Sequence, residues 1–255
     1  MSFNLEQDRI DAICRDVVKA QGIPGLSIAI ARDDKILFAQ GYGHRNASEH
    51  TPADANTLYS IASVSKQFTA AMVLLLQERD LLSIADPVHK YFPWVPCSRE
   101  VTLSQLLAHT SGIPGYTEVP EFERLCYSEA SFREVVMLGA DRPAAFSPGE
   151  RWEYSNTNYV LLGGIIEAVS GRSYAEFLSE SFLKPLEMSS TGVDDVWSIR
   201  ENYATGYTSY SLGPLERARE WDPAWEFGTG AIFSTAPDLV RWNVALRSGK
   251  VISES

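Results

Sequence analysis

The stretch SIASVSKQFTAAMVLLL, residues 60–76, sets three serines and a lysine directly before a long apolar run. The apolar run predicts a buried helix over about residues 63–79, and Lys66 lies near its start, three residues after Ser63. Residues three apart on a helix lie on one face. Two interpretations are open at this point: an ordinary solvated helix start, or a serine nucleophile with its base one helical turn away.

The second interpretation makes specific demands on the lysine. A serine hydroxyl is a poor nucleophile until a base within hydrogen-bond reach accepts its proton. Lysine can be that base only if its pKa is lowered from about 10.4 by burial or by nearby positive charge. The apolar residues that follow Lys66 offer a desolvated setting. A helix N-terminus beside Ser63 would also favour a developing oxyanion.

The spacing S-x-x-K does not by itself decide between the two interpretations, because the chain contains it twice. Ser181 and Lys184 have the same separation, but they stand at the end of a predicted helix and are followed by Pro185. A lysine there complements the helix C-terminus, which favours a structural role for the second copy.

A second polar motif follows in PGERWEYSNTNY, residues 148–159, as a loop before a helix predicted to begin near Tyr159. Tyr154 is either a packing residue with a solvated hydroxyl or a phenol close to Lys66 that shuttles a proton. Asn156 is either a helix cap or a group that holds the lysine or a substrate amide.

The remaining pattern predicts an α+β chain in which a helical segment is inserted into a sheet-bearing one. Predicted helices cover residues 5–20, 63–79, 159–170 and 236–248, and S/T-x-x-E/Q capping boxes mark further helix starts at Thr102, Ser131 and Ser173. Predicted strands cover residues 25–31, 36–42 and about 228–234. Polar loop is predicted for residues 44–58, and irregular structure for residues 192–225.

Composition narrows the function classes. The 255 residues suit a single domain, with residues 1–45 and about 220–255 bearing the sheet and about 46–219 mostly helical. A net charge of −11 argues against nucleic acid and anionic membrane surfaces as partners. The N-terminus lacks the apolar run of a signal peptide and no later run reaches about 20 residues, which predicts a cytoplasmic protein without membrane contact. A chain from which a signal peptide had been removed would show the same pattern.

Cysteine and histidine usage predicts no metal and no cofactor. The cysteines, Cys14, Cys97 and Cys126, are far apart and suit buried free thiols better than a disulfide framework or a zinc site. The four histidines lack ligand spacing with Cys, Asp or Glu. No glycine-rich phosphate loop is present.

Several segments resemble, in the expected order, the superfamily of β-lactamases and penicillin-binding proteins, whose motifs are S-x-x-K, S-D-N and K-T-G. Tyr154-Ser155-Asn156 stands where S-D-N would, which is similar to the class C β-lactamase branch with its esterases, D-amino-acid peptidases and carboxypeptidases. The segments are LYSIASVSKQFTA (58–70), LLSIADPVHKYFP (81–93), VTLSQLLAHTSGIPGY (101–116), SPGERWEYSNTNYVLLGGIIEAVSG (147–171) and GAIFSTAPDLVRW (230–242).

The resemblance implies a fold and a mechanism. The fold is an antiparallel sheet flanked by terminal helices, with a helical subdomain inserted. Ser63 attacks a carbonyl to give an acyl-enzyme, Lys66 and Tyr154 share the proton transfers, Asn156 binds substrate, and the Ser63 backbone N–H forms half of the oxyanion hole. The implied substrate is a small ester, amide or peptide.

Within that group, an esterase or D-amino-acid peptidase-like activity is favoured over a dedicated β-lactamase, because a lactamase acts outside the cytoplasm. A weak β-lactamase activity is compatible with the same residues. The alternative is a relative without catalysis, a scaffold or a penicillin-sensing module that has kept the fold. The presence of Ser63, Lys66 and Tyr154 together argues against it.

The third motif is where the chain departs from the family. His109-Thr-Ser-Gly112 looks like that motif and invites a Ser-His-Asp interpretation, but relatives carry this stretch as a structural turn, so we expect no catalytic His109. Gly228-Thr-Gly230 is the nearest other candidate, although it precedes the usual position. We therefore expect the third motif, the second oxyanion donor, further strands and a closing helix to come from beyond Ser255 or from a separate chain that completes the sheet. The hairpin would otherwise be an isolated two-stranded sheet.

Overall fold

The computed structural model of the chain describes residues 3–96, 98–194, 201–209 and 213–253. Helix α1 (Phe3–Gln21) leads into an antiparallel hairpin of β1 (Gly25–Arg32) and β2 (Lys35–Asn46), as predicted. Asp33 and Asp34 form the turn between the two strands. Asp33 has a φ of 57°, a left-handed conformation that Asp tolerates in two-residue hairpin turns.

The sheet extends further than the sequence pattern indicated. Strand β2 continues to Asn46, and β3 (Thr51–Pro52) pairs with it, which gives the order β1-β2-β3. The polar loop predicted over residues 44–58 was therefore wrong at residues 44–46 and 51–52, and the hairpin is part of a three-stranded sheet. Polar side chains hide this extension from a hydrophobicity pattern, whereas the pairing is made by backbone groups and by Arg45, whose guanidinium donates to the Pro52 carbonyl over 3.0 Å.

Helices make up most of the middle of the chain. The three predicted capping boxes are confirmed: each hydroxyl accepts from the N3 backbone N–H, and the N3 side chain accepts from the cap residue's N–H. The helices are α2 (Ser65–Glu78), α3 (Leu103–Leu107), α4 (Phe122–Leu125), α5 (Phe132–Ala140), α6 (Asn156–Ser170) and α7 (Tyr174–Leu178).

Two helix starts differ from the prediction. Helix α2 begins at Ser65, after a 3-10 turn over Ala62–Val64, and α6 begins at Asn156 rather than near Tyr159. The first turn of α6 contains polar residues with low helix propensity, so hydrophobic periodicity does not mark it. Tertiary contacts hold it instead: the Thr157 hydroxyl donates to Pro114 O over 2.7 Å and accepts from Tyr116 N–H over 3.0 Å.

The core centres on α6, which contacts α2, α3 and α5. Each fully buried large side chain contributes about 1.5–3 kcal/mol through removal from water. Members of this cluster from α2 and α6 include Phe68, Met72, Leu76, Leu161, Leu162 and Ile165. The indole of Trp242 stacks on Phe68 with ring centroids 4.0 Å apart, which ties the last helix to α2.

Short strands complete the fold. An antiparallel sheet in the order β4-β8-β5 joins the start of α2 to the end of the chain, and a second pair follows, β6-β7. The elements are β4 (Tyr59–Ser60), β5 (Gly192–Val193), β6 (Tyr207–Thr208), β7 (Glu216–Arg217), β8 (Ile232–Ser234) and α8 (Ala236–Arg247). The segment predicted as irregular holds only two-residue strands and a 3-10 turn in its described part; residues 195–200 and 210–212 lie outside the described residues.

Terminal helices flank the larger sheet, since α1 contacts β2 and α8 contacts β1 and β2. The predicted α+β class, with its antiparallel sheet and helical insertion, is therefore confirmed. Cys14 and Cys126 are buried free thiols, as predicted, while Cys97 lies outside the described residues.

Candidate active site

Ser63 stands in the 3-10 turn that leads into α2, with its hydroxyl on the exposed side of the molecule. The residue before it, Ala62, has a φ of 44°. This left-handed conformation costs a non-glycine residue on the order of 1–2 kcal/mol, and backbone strain of this kind concentrates at functional sites. A backbone hydrogen bond holds the start of this turn in place, since Ile61 N–H donates to Ile232 O over 2.9 Å.

The structure brings three of the predicted site residues together around one oxygen atom. Ser63 Oγ lies 3.1 Å from Lys66 Nζ and 2.8 Å from the Tyr154 hydroxyl. Lys66 follows Ser63 by one helical turn, whereas Tyr154 is 91 residues away in sequence. A serine hydroxyl in contact with both an amine and a phenol has two groups able to receive or return its proton.

Lys66 is the buried member of this group, with 7% of its surface exposed. Its ammonium also donates to Thr229 O over 3.0 Å, and it lies 5.1 Å from the ring centre of Tyr154 and 5.6 Å from that of Tyr159. Burial lowers the pKa of Lys66 from 10.5 to about 8. The lowering that the sequence argument required is therefore present, and its cause is desolvation.

The turn that receives the Lys66 ammonium is fastened to α2 and α6. The Thr69 hydroxyl of α2 donates to Gly228 O over 2.8 Å. Gly228 has a φ of 69°, and a Cβ there would lie 2.5 Å from Tyr159 O on α6. Only glycine adopts this φ without strain and leaves room for Tyr159 O. Gly228 therefore allows the turn to pack closely against α6, beside Lys66.

The backbone N–H groups of this turn, which follows Gly228, already have hydrogen-bond partners. The N–H groups of Thr229, Gly230 and Ala231 all donate to Glu226 O, at 2.9, 2.8 and 3.1 Å. The segment Gly228-Thr229-Gly230, considered above as a stand-in for the third motif, thus offers a carbonyl to Lys66 rather than an N–H to an oxyanion.

Asn156 lies at the first position of α6, where its side-chain amide donates to the Thr117 hydroxyl over 3.0 Å. The N-cap position belongs to Ser155, so the interpretation of Asn156 as the helix cap was wrong. The hydrogen bond that the structure gives Asn156 goes to Thr117 and not to Lys66. A substrate contact for Asn156 stays a prediction.

His109 lies inside this site, although it was assigned above to a structural turn. Its imidazole stacks on Tyr154, with centroids 4.7 Å apart at 30°, and its Nδ1 accepts from Ser155 N–H over 3.2 Å. Burial, and secondarily the charge of Lys66, lower the pKa of His109 to about 4. It is therefore neutral at pH 7 and packs against the phenol instead of contacting Ser63.

Sequence reasoning missed several neighbours of the three central residues. Thr229 contributes only its carbonyl, and Tyr159 only a ring face, so neither has a side-chain signal that a motif search would find. Thr117 holds Asn156 from a 3-10 turn without a distinguishing pattern. His109 was noticed in the sequence, but its proximity to Tyr154 depends on how the chain folds back between residues 109 and 154.

Within the part of the chain that the structure describes, no three His, Cys, Asp or Glu side chains form a group that could hold a metal ion. In the same residues, every helix is too short or too polar to serve as a transmembrane segment.

In a comparison with known protein families, residues 10–255 match the family model described as Beta-lactamase. The chain is 31% identical over 244 residues to Protein flp of Staphylococcus aureus (strain N315), covering 94% of this chain and 48% of that protein. The chain thus spans about half the length of the curated relatives it matches.

Solved structures agree with the predicted fold class. The octameric penicillin-binding protein homologue from Pyrococcus abyssi superposes with a TM-score of 0.83 at 30% identity, covering 96% of this chain and 58% of that one. D-amino acid amidase from Ochrobactrum anthropi SV3 gives a TM-score of 0.83 at 27% identity, covering 94% of this chain and 70% of that one.

Proposed function

The chain belongs to the beta-lactamase family, and from that premise we propose that it is a serine hydrolase that forms an acyl-enzyme at Ser63 with a small amide or ester substrate. One observation carries the proposal. Ser63 Oγ is within hydrogen-bond distance of both Lys66 Nζ and the Tyr154 hydroxyl. Core packing alone gives no reason for a buried amine and a phenol both to contact the hydroxyl of one exposed serine.

In the acylation step, neutral Lys66 accepts the Ser63 proton while Oγ bonds to the substrate carbonyl carbon. With a pKa of about 8, about a tenth of Lys66 is neutral at pH 7. The tetrahedral intermediate collapses with loss of an amine or alcohol, which takes a proton from Tyr154, and Lys66 returns a proton to the phenolate. The Ser63 N–H is proposed as one donor to the oxyanion.

In the deacylation step, water adds to the acyl carbonyl and gives up its proton to the Lys66–Tyr154 pair. Ser63 Oγ then leaves and is reprotonated by the same pair. The proton that the leaving group takes is replaced by the one that water supplies, and Ser63, Lys66 and Tyr154 end the cycle as they began it, so the cycle needs no cofactor.

For the substrate, we favour a D-amino-acid amide, a short peptide or a simple ester over a dedicated β-lactam substrate. Support comes from the similarity to D-amino acid amidase and from Tyr154, because an amide leaving group must be protonated as it departs. The alternative functions differ in their kinetics. A scaffold would not react with the substrate, whereas a penicillin-sensing module would be acylated and stay acylated without turnover.

Intact-mass spectrometry with a penicillin, a nitrophenyl ester and a D-amino-acid amide tests the proposal. We expect an adduct of acyl mass, mapped to Ser63 by peptide digestion, that disappears with time as product forms. Ser63→Ala should give no adduct. Ser181 and Ser155 are internal controls, and an adduct on either would overturn the assignment. A Ser63 adduct that never hydrolyses would favour the sensing module.

A further inference from the structure

His109 contacts the segment that carries Tyr154 at three points. Its carbonyl accepts from Glu153 N–H over 3.0 Å, and its Nδ1 accepts from Ser155 N–H over 3.2 Å. Its ring also stacks on Tyr154, with ring centroids 4.7 Å apart. One residue therefore holds the backbone on both sides of the phenol and supports the ring itself.

Tyr154 needs such support, because it lies at the protein surface. The residue is 37% exposed, and Trp152, two positions earlier, is 64% exposed. The phenol oxygen reaches Ser63 across an open surface, so a small rotation of the ring would break the 2.8 Å contact. Misplacement of a reacting group by about 1 Å can cost about 10²-fold in rate.

His109 is itself held in a costly conformation. Its φ of 57° is left-handed, which is uncommon for a non-glycine residue. The imidazole is set between two phenol rings, with Tyr159 at 5.1 Å on α6 and Tyr154 at 4.7 Å. The Tyr159 hydroxyl donates to Leu107 O over 3.1 Å, so the turn after α3 is fixed to α6. This left-handed residue ends α3: His109 N–H donates to Leu106 O over 3.2 Å, and Thr110 N–H donates to Gln105 O over 2.9 Å.

We propose that His109 is a positioning residue for acylation, which keeps the Tyr154 hydroxyl on Ser63 Oγ by holding the backbone at residue 155 and stacking on the phenol. This inference rests on the proposed function, since it concerns the same proton transfer. It assigns His109 no proton of its own to move, and it makes His109 a structural support of the active site.

The protonation state of His109 agrees with this role. With its pKa lowered to about 4 by burial, the imidazole is neutral at pH 7 and carries its proton on Nε2, because Nδ1 accepts from Ser155 N–H. A neutral ring whose acceptor nitrogen is occupied has no lone pair left for a general base.

Three variants of His109 distinguish the contribution of ring stacking from that of the Nδ1 hydrogen bond. His109→Gly removes both the ring and the acceptor and suits the left-handed φ; His109→Phe keeps a ring; His109→Asn keeps an acceptor and also tolerates that φ. All three retain the carbonyl that receives Glu153 N–H, so the segment stays attached. We expect kcat to fall by about 10²-fold in His109→Gly and by less in the other two, with KM changed by less than about twofold.

A double-mutant cycle shows whether the effect passes through Tyr154. If it does, His109→Gly in a Tyr154→Phe background causes no further loss of kcat, because the hydroxyl it positions is already gone. Equal losses in both backgrounds would overturn the proposal and assign His109 a general structural role. So would wild-type kcat in all three single variants. Should one variant fail to fold, the other two carry the same comparison.

Crystal structures of the full-chain variants separate this inference from the proposed function. We expect the Tyr154 hydroxyl of His109→Gly to lie more than about 3.5 Å from Ser63 Oγ, beyond hydrogen-bond distance. A contact unchanged in all variants overturns the positioning role. Displacement of the phenol in a protein that never acylates Ser63 would instead leave the positioning role standing and remove the proposed function.

Discussion

The chain contains the S-x-x-K spacing twice, and its two copies lie in different surroundings. Lys66 is buried and its amine forms hydrogen bonds with Ser63 Oγ and Thr229 O. Lys184 is exposed and directly follows a π-helical turn, Ser179–Leu183. Ser63 faces a phenol from a distant loop. Identical spacing therefore gives a buried candidate base in one place and an exposed lysine in the other, because burial depends on what packs around each side chain.

The largest expected difference between the copies is catalytic. Lys66→Ala should reduce kcat by about 10²–10⁴-fold, the usual contribution of a general acid–base group. Lys184→Ala, the matched control, should change kcat by less than about twofold. Steady-state hydrolysis of whichever substrate acylates Ser63 measures both variants, and circular dichroism checks that each is folded. A Lys66→Ala enzyme with near-normal kcat would remove Lys66 from the mechanism.

The pH dependence should follow the buried copy. Because Lys66 acts as a base only when neutral and its pKa is about 8, kcat/KM should fall about tenfold for each pH unit below 8. The profile of Lys184→Ala should be the same as that of wild type. A rate that stayed flat from pH 8 to pH 6 would contradict the assignment of the base.

Stability should show the cost of burying one lysine. The pKa of Lys66 is 10.5 in the unfolded chain and about 8 in the folded protein. Between these two pH values the unfolded chain binds more protons, so stability rises with pH there, and below pH 8 the penalty is constant. At pH 7 this penalty is about 3 kcal/mol, of which the Thr229 hydrogen bond offsets about 1.

Lys66→Met should therefore raise the free energy of unfolding by about 2 kcal/mol at pH 7, and the gain should disappear near pH 11. Lys184→Met should stay within about 0.5 kcal/mol of wild type, as exposed substitutions do. Urea denaturation at the two pH values measures both. A Lys66→Met protein less stable than wild type at pH 7 would show that hydrogen bonding outweighs desolvation here.

The smallest expected effect lies one residue before each serine. Ala62→Gly relieves a left-handed backbone and should raise the free energy of unfolding by roughly 0.5 kcal/mol, because the strain removed slightly exceeds the entropy that glycine costs. Glu180→Gly, in the helical turn of the second copy, should lower it by about 1 kcal/mol. Changes of the same sign in both would show that Ala62 is not strained.

Patterns confined to neighbouring residues predicted much of this protein. The capping boxes at Thr102, Ser131 and Ser173 were found from three-residue spacings, since both partners of each hydrogen bond lie within one helical turn. The β1–β2 hairpin and α8 followed from hydrophobic period. Motif order along the chain gave the family, which the comparisons confirm.

Errors arose where the deciding contact was distant. The extension of β2 and its pairing with β3 depend on backbone groups and on Arg45, so a hydrophobicity pattern did not reveal them. The start of α6 was misplaced because Pro114 and Tyr116, rather than apolar periodicity, hold its first turn. His109 was assigned to a structural turn, and its stacking on Tyr154 was not foreseen because the two residues are far apart in sequence.

The sequence by itself thus determined most of the helices, the hairpin and the closeness of Ser63 to Lys66, because each depends on residues a few positions apart. Only the tertiary structure decided which lysine is a candidate base. Packing of α2 on α6 and of the turn at Thr229 excludes water from Lys66, and His109 brings Tyr154 to Ser63 from 91 residues away. Desolvation and long-range contact depend on the whole fold, so no local spacing contains them.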